Sequence, residues 1–177
     1  MVDVEMLPPA VAGDAATVEA ICGLVNRAYT VAELGLWREP YARTTPPLTA
    51  ESIAREELAV ARQDGRIVGS ICTFQLDAET GWCGALAVDP ALGGRGLGAT
   101  LMRFAEERAA AAGAQTMQLE VLAPLPANPH TDLITAWYVR RGYHEVGRFP
   151  LAEIEPDAVP FLATPCDVSV MQKPLAG

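Results

Sequence analysis

The chain has 177 residues, of which 50% are hydrophobic and 20% charged, and it carries a net charge of −9 at pH 7. This length predicts one domain over residues 1–177, and the apolar content argues against disorder. Nucleic acid and anionic lipid would be repelled by this charge, so we expect neither as a partner, whereas a cationic substrate such as an amine suits it. No apolar run approaches the ~18 residues that span a bilayer, and residues 1–10 do not resemble a secretory signal.

The four cysteines and two histidines lack the spacing of a metal site, so we expect no bound metal. Three of the thiols, Cys22, Cys72 and Cys83, lie in apolar patterns, where a thiol behaves as a small hydrophobic group. We predict that these cysteines and Cys166 are reduced and structural, which fits a cytoplasmic protein.

Apolar periodicity in the first half of the chain predicts one strand, two helices and a three-stranded meander. The turn sequence Asp64-Gly65 between two alternating runs is typical of a β-hairpin. In chain order, the predicted elements are a strand at 1–6, helices at 17–29 and 49–57 separated by a loop, and strands at 58–62, 66–76 and 82–88.

The second half predicts helices and strands in alternation, beginning with a well-patterned helix that ends before Gly113. The predicted elements are helices at 97–112 and 133–141, strands at 116–122, 143–146 and 167–173, a proline-rich loop at 123–130 and an irregular segment at 149–166. Together the two halves predict an α/β (α+β) fold with a mixed, mostly antiparallel sheet of about seven strands and about four helices.

The segment from Gly93 to Gly98 has glycine at four of its six positions and directly precedes a predicted helix. Glycines let backbone N–H groups converge, and a helix N-terminus adds about half a positive charge. The pattern therefore predicts a diphosphate site with Arg95 as an added cation. A plain flexible loop before the helix is the alternative.

A dinucleotide is one candidate ligand for this loop, because Gly94, Gly96 and Ala99 match G-x-G-x-x-A and Glu120 follows about 20 residues later. In a dinucleotide-binding fold, however, the strand leads directly into the first glycine, whereas residues 89–92 intervene here. The strands before the loop also predict an antiparallel meander. This context argues against a nicotinamide-dependent oxidoreductase.

Acyl-coenzyme A is the other candidate ligand. The segments LAVDPALGGRGLGATLM (86–102) and AWYVRRGY (136–143) resemble the GNAT superfamily of acyl-CoA-dependent N-acetyltransferases. The family's pyrophosphate loop reads Arg/Gln-x-x-Gly-x-Gly/Ala. Gly96 and Gly98 match its glycines, whereas Gly93 stands at the Arg/Gln position.

The resemblance implies that strands four and five splay apart to receive the pantetheine arm of acetyl-CoA. It implies that Leu86, Ala87 and Val88 offer backbone groups to this arm, with an N–H near Val88 polarising the thioester carbonyl. The residues implied for the pyrophosphate are Gly93, Gly94, Arg95, Gly96, Leu97, Gly98 and Ala99.

The chemistry implied by the resemblance is direct attack of an amine on the thioester in a ternary complex. Tyr138 matches the family's proton-donating tyrosine, and a buried core ring is the alternative. Trp82 stands where some protein-acetylating members carry a glutamate, so Glu120 is the candidate base, with His130 as a second candidate. The missing strand-four glutamate also keeps a second hypothesis open, a domain that binds acyl-CoA as a sensor without turnover.

Other parts of the chain carry weaker expectations. Trp37, Tyr41 and residues 149–161 are expected to build the acceptor pocket. Thr131 aligns with a frequent asparagine of the family. Arg140 and Arg141 contact coenzyme phosphates or complement the end of their helix, the second being favoured. Exposed edge strands and the C-terminal strand favour a homodimer.

Overall fold

The computed structural model describes residues 2–175, which form a seven-stranded sheet with five α-helices and three short 3-10 helices. The strands are β1 Val2–Met6, β2 Leu58–Gln63, β3 Arg66–Gln75, β4 Thr80–Val88, β5 Thr116–Pro124, β6 His144–Pro150 and β7 Cys166–Pro174. The helices are α1 Ala15–Ala32, α2 Pro46–Ala54, α3 Leu97–Ala111, α4 Pro129–Arg140 and α5 Leu151–Ile154, with 3-10 turns at Pro9–Gly13, Pro90–Leu92 and Pro156–Phe161. Met1, the first residue of the predicted strand, lies outside the described residues.

The strands follow the order β1-β2-β3-β4-β5-β7-β6, and within residues 2–175 only β4 and β5 pair in parallel. The predicted mixed, mostly antiparallel sheet is confirmed. The C-terminal strand β7 lies between β5 and β6. The edges are β1 and β6.

Two layers of helices bury the two faces of the sheet. Helix α3 packs on one face through a cluster that includes Leu101, Met102 and Met117. Helices α1 and α2 pack on the other face around Ile21 and Ile53. Among the described residues, no helix has both the length and the apolar composition to cross a bilayer.

Helices α1, α2 and α4 begin earlier than the periodicity predicts, and the last two begin at a proline. Pro46 opens α2 after the cap Thr45, and Pro129 opens α4 after the cap Asn128. Proline fits the first turn of a helix because the N–H it lacks would have no helical partner there. The segment predicted as irregular at 149–166 contains α5 and a 3-10 turn.

Candidate active site

Strands β4 and β5 separate after a short parallel pairing. They pair only from Thr80 to Trp82 of β4, and the rest of β4 has no partner in β5. A β-bulge lies in the separated part of β4. Ala85 has a positive φ of 48° at the point where the β3–β4 register shifts. Bulges of this kind bend a strand and re-aim its groups. The splay that the family resemblance implied is therefore present.

A cleft of about 710 Å³ lies at this opening, lined by residues of α1, α3 and α4. We call it the cofactor cleft. Of the residues expected to bind the cofactor, eight line it: Leu86, Val88, Gly93, Gly94, Gly96, Leu97, Gly98 and Ala99. Ala87 and Arg95 do not: Ala87 is buried against the α1 layer and Arg95 is exposed.

The glycine loop presents backbone rather than side chains to the cofactor cleft. Gly94 and Gly96 have φ of 77° and 80°, a conformation that glycine adopts without strain. Gly96 is the N-cap of α3 and supplies no side-chain cap, so the first N–H groups of the helix keep their hydrogen-bonding capacity. Among the residues that the structure describes, Arg43 is the only arginine in the lining, and it already forms ion pairs. The loop therefore offers main-chain amides, rather than a free side-chain cation, to an anion.

A second cleft, of about 420 Å³, lies beside the first and extends to α2 and α5. We call it the acceptor cleft. Its walls come from α1, residues 41–44, α2, the splayed halves of β4 and β5, and α5. The sequence pattern does not reveal the contribution of α2, which lines the cleft with Leu48, Glu51, Ser52 and its C-cap residue Arg55. No motif marks these residues, which meet the site only through tertiary packing.

The two clefts share a set of lining residues and therefore meet through the splay. The shared residues are Tyr29, Arg43, Leu86, Glu120, Val121, Leu122 and Tyr138. Both residues proposed from the sequence for proton transfer, Tyr138 and Glu120, belong to this set. Tyr29 is a second phenol at the same junction, and nothing in the sequence pattern singled it out.

The Tyr138 side chain lies in an aromatic environment on α4. Its ring packs edgewise on Trp137 and on Tyr143, with centroids 4.9 and 5.8 Å away. Burial raises the pKa of the Tyr138 phenol well above its usual value. Burial likewise raises the pKa of Tyr29. Both phenols therefore stay protonated through the neutral and mildly alkaline range.

Glu120 and His130, the two candidate bases, lie in different places. Glu120 is exposed at the junction, on β5 opposite Val170 of β7. His130 is exposed in the first turn of α4 and lines only the cofactor cleft. The neighbouring Thr131 hydroxyl donates to the carbonyl of Asn128 at 3.0 Å, so it is engaged in capping the helix.

Arg141 is the C-cap residue of α4 and contacts a neighbouring helix. Its Nη2 donates to the carbonyl of Ala99 at 3.3 Å, and its guanidinium lies 5.0 Å from the ring centroid of Trp137. It thus ties α4 to the first turn of α3. Arg140 is exposed in the last turn of α4.

One side of the acceptor cleft is formed by two segments, residues 33–43 and residues 151–164. Arg43 pairs with Glu33 at 3.7 Å and with Glu155 at 3.6 Å, and lies over the ring of Tyr29. Of the aromatic residues expected in the acceptor pocket, Tyr41 lines it. Trp37 instead stacks on Tyr41 with centroids 4.1 Å apart and lines a small neighbouring cavity.

All four cysteines are free thiols. Two of them, Cys72 and Cys83, line the acceptor cleft. Burial raises the pKa of Cys72 to about 11 and that of Cys83 to about 12. Among residues 2–175, no group of three or more His, Cys, Asp or Glu side chains has a metal-binding arrangement.

Solved structures with the same fold include three proteins that share little sequence with this chain. Ard1 from Thermoplasma volcanium is 15% identical, with a TM-score of 0.69 and 99% of each chain covered. PaiA N-acetyltransferase from Thermoplasma acidophilum, solved in complex with coenzyme A, is 13% identical, with a TM-score of 0.70 and coverage of 98% of this chain and 99% of that one. The ribosomal-protein-S18-alanine N-acetyltransferase from Escherichia coli is 17% identical, with a TM-score of 0.64 and coverage of 100% and 96%.

No curated protein sequence matches the chain. The family model described as the acetyltransferase (GNAT) family matches residues 21–143. This match spans more than half of the chain, including the glycine loop and the tyrosine of α4. The chain therefore belongs to the GNAT acetyltransferase family, as the two sequence segments implied.

Proposed function

We propose that the chain transfers an acetyl group from acetyl-CoA to a primary amine by direct attack in a ternary complex. The observation that carries the proposal is the meeting of the two clefts at Tyr138 and Glu120. A thioester held in one cleft and an amine held in the other would come together there. Holding both reactants in one place removes much of the entropic barrier of a bimolecular reaction.

The cofactor is held mainly by backbone groups. The edge of β4 beyond Trp82 is unpaired toward β5, so Leu86, Ala87 and Val88 have backbone groups available for the pantetheine arm. An N–H near Val88 polarises the thioester carbonyl. The residues assigned to the pyrophosphate are those of the glycine loop and the α3 N-terminus: Gly93, Gly94, Arg95, Gly96, Leu97, Gly98 and Ala99.

Proton transfer is assigned to Glu120 and Tyr138. A lysine-like amine has a pKa of ~10.4 and must lose a proton before it attacks, and Glu120 accepts that proton directly or through a water. The new C–N bond forms as the C–S bond breaks, and Tyr138 donates a proton to the leaving sulfur. The protonated state of Cys72 and Cys83 at neutral pH favours this direct route over an acetyl-cysteine intermediate.

The test is release of free CoA from acetyl-CoA across a panel of amines, with acetyl-CoA affinity measured by calorimetry. Tyr138→Phe should lower kcat by about 100-fold, a typical loss for a general acid, and leave affinity for acetyl-CoA nearly unchanged. Tyr29→Phe is the matched control, since it removes the other phenol of the junction. Equal losses in the two variants would reject Tyr138 as the specific donor.

A second candidate function is acyl-CoA binding without turnover. Trp82 favours it, because an indole cannot accept a proton at a position where some family members have a glutamate. Binding of acetyl-CoA without CoA release on any amine would support this sensor function. Release on even one amine would reject it.

A further inference from the structure

The acceptor cleft has features that select among amines, and the following inference rests on the proposed function. We propose that the acceptor is a small primary monoamine that carries an aromatic or branched apolar body and no carboxylate. The volume of the cleft, about 420 Å³, lies within the range of small-molecule sites, about 300–1,000 Å³.

The joined segments beside the cleft argue against a polypeptide acceptor. The amide of Arg38 donates to the carbonyl of Phe161 at 2.7 Å, and the amide of Ala163 donates to Leu36 at 2.8 Å. The ion pair of Arg43 with Glu155 links the same two segments, and both residues line the cleft. A polypeptide that crosses the site would require these two segments to separate, whereas a small amine fits in the cleft while they stay joined.

The charges of the cleft favour a single ammonium group. Its two guanidinium groups are already paired, Arg43 with Glu33 and Glu155, and Arg55 with Glu51. An acceptor carboxylate would therefore meet no unpaired cation and would be desolvated without compensation. Among the described residues, Glu120 forms no ion pair, so one carboxylate at the junction is free for the ammonium group that arrives with the substrate.

Apolar side chains line the remainder of the cleft. The indole of Trp82 stacks on Phe74, with centroids 4.8 Å apart and planes inclined by 24°, and lines the cleft wall. Leu48 of α2 and Ile154 of α5 also line the cleft and are 53% and 40% exposed. An aromatic or branched body would cover these groups, which are costly to leave in water. A second ammonium group would find both Glu51 and Glu155 already paired.

The test compares kcat/KM, calculated for the neutral form of each amine, across four acceptors. These are 2-phenylethylamine, phenylalanine, 1,4-diaminobutane and a short peptide with a free N-terminus. We expect 2-phenylethylamine to exceed each of the others by at least about tenfold, and phenylalanine to fail through its carboxylate. Equal or better use of phenylalanine, the diamine or the peptide would overturn the acceptor class and leave the acetyltransferase function standing. If acetyl-CoA binds and no amine is used, both proposals fail.

The role of Trp82 is tested separately with Trp82→Ala, whose folding is checked by acetyl-CoA binding. This variant should raise KM for 2-phenylethylamine by about tenfold or more and leave KM for ethylamine, which has no aromatic body, within about twofold. Phe149→Ala is the matched control, because Phe149 is a 41% exposed aromatic residue of β6 outside both clefts. Equal loss for both amines in Trp82→Ala would overturn the assignment of the indole to the acceptor body.

Discussion

The indole of Trp82 lies across Gly84, two residues further along the same strand. A Cβ atom at position 84 would overlap with the six-membered ring of the indole. The absence of a side chain at Gly84 therefore lets the indole lie along β4, where it stacks on Phe74 and forms part of the wall of the acceptor cleft. The position of Trp82 thus depends on the absence of a side chain at Gly84.

Replacement of Gly84 by alanine should change acceptor use without unfolding the protein. The methyl group displaces the far end of a half-buried side chain, which can move, so the chain still folds. We expect kcat/KM for 2-phenylethylamine to fall by about tenfold, because part of an apolar contact surface is lost. Acetyl-CoA affinity, measured by calorimetry, should not change.

Gly13→Ala is the control for this replacement, because no atom lies within 4 Å of the added methyl group. It should match the unmodified protein in both measurements. Unchanged kinetics in Gly84→Ala would show that the position of the indole does not affect acceptor use.

The residues of the cofactor cleft could be predicted from the sequence because most of them are close together along the chain. The glycine loop and α3 are contiguous, and the 3.6-residue period of the helix together with four glycines predicts their arrangement directly. Tyr138 was found in the same way, from a short segment matched to a known family. The replacement of the family's Arg/Gln by Gly93 could also be predicted from the sequence, because the motif fixes which residue stands at that position.

The acceptor cleft was harder to predict because its residues come from distant parts of the chain. Arg43 lies in a segment that reads as a loop, and its partners Glu33 and Glu155 are separated by more than half of the chain. The residues of α2 carry no motif, and the boundary of that helix was misplaced because Pro46 suggests a break. Only the packing of α1, α2 and α5 around the splayed strands brings these groups together.

The raised pKa of Tyr138 predicts the shape of the pH profile. A neutral phenol gains no charge as pH falls and loses its proton only above its pKa, which burial places well above the usual value of about 10. Between pH 6 and about pH 10 the donor stays protonated, while the amine is progressively deprotonated. We therefore expect kcat/KM to rise with pH and to show no descending limb below about pH 10.

The measurement is CoA release at saturating acetyl-CoA, with one amine, across that pH range. Tyr138→Phe should keep the same rising limb at a lower level, since the amine still titrates. A descending limb with a midpoint near pH 8 or 9 that disappears in Tyr138→Phe would contradict the protonated state assigned to this phenol.

A side chain at Gly93 should strengthen cofactor binding. Gly93 has a φ of −54°, and a Cβ atom there would meet only the carbonyl of Pro90 at an ordinary 3.5 Å. Gly93→Arg therefore adds no backbone strain and places a cation at the family's Arg/Gln position. One phosphate contact of about 0.5–1 kcal/mol corresponds to a two- to fivefold lower Kd for acetyl-CoA.

Gly94→Arg is the matched control, because it adds the same charge one residue later, where φ is 77°. An arginine there forces a left-handed conformation that costs about 1 kcal/mol or more. This variant should bind acetyl-CoA no more tightly than the unmodified chain. If both variants tighten binding equally, general charge attraction rather than the motif position explains the effect.

Glu106 should matter for stability far more than its neighbour Glu107. In α3, Glu106 accepts hydrogen bonds from the Tyr143 hydroxyl at 3.0 Å and from the Lys173 ammonium at 2.7 Å, and its side chain is 11% exposed. Glu106→Gln removes the charge that pairs with a partly buried ammonium, so we expect a loss of about 1–3 kcal/mol in the free energy of unfolding. Glu107 is 71% exposed and lies 3.9 Å from an exposed Arg103, so Glu107→Gln should change that energy by less than about 0.5 kcal/mol. Urea denaturation at pH 7 measures the free energy of unfolding of both variants. Equal midpoints would contradict a structural role for the contacts of Glu106 with Tyr143 and with Lys173 of β7.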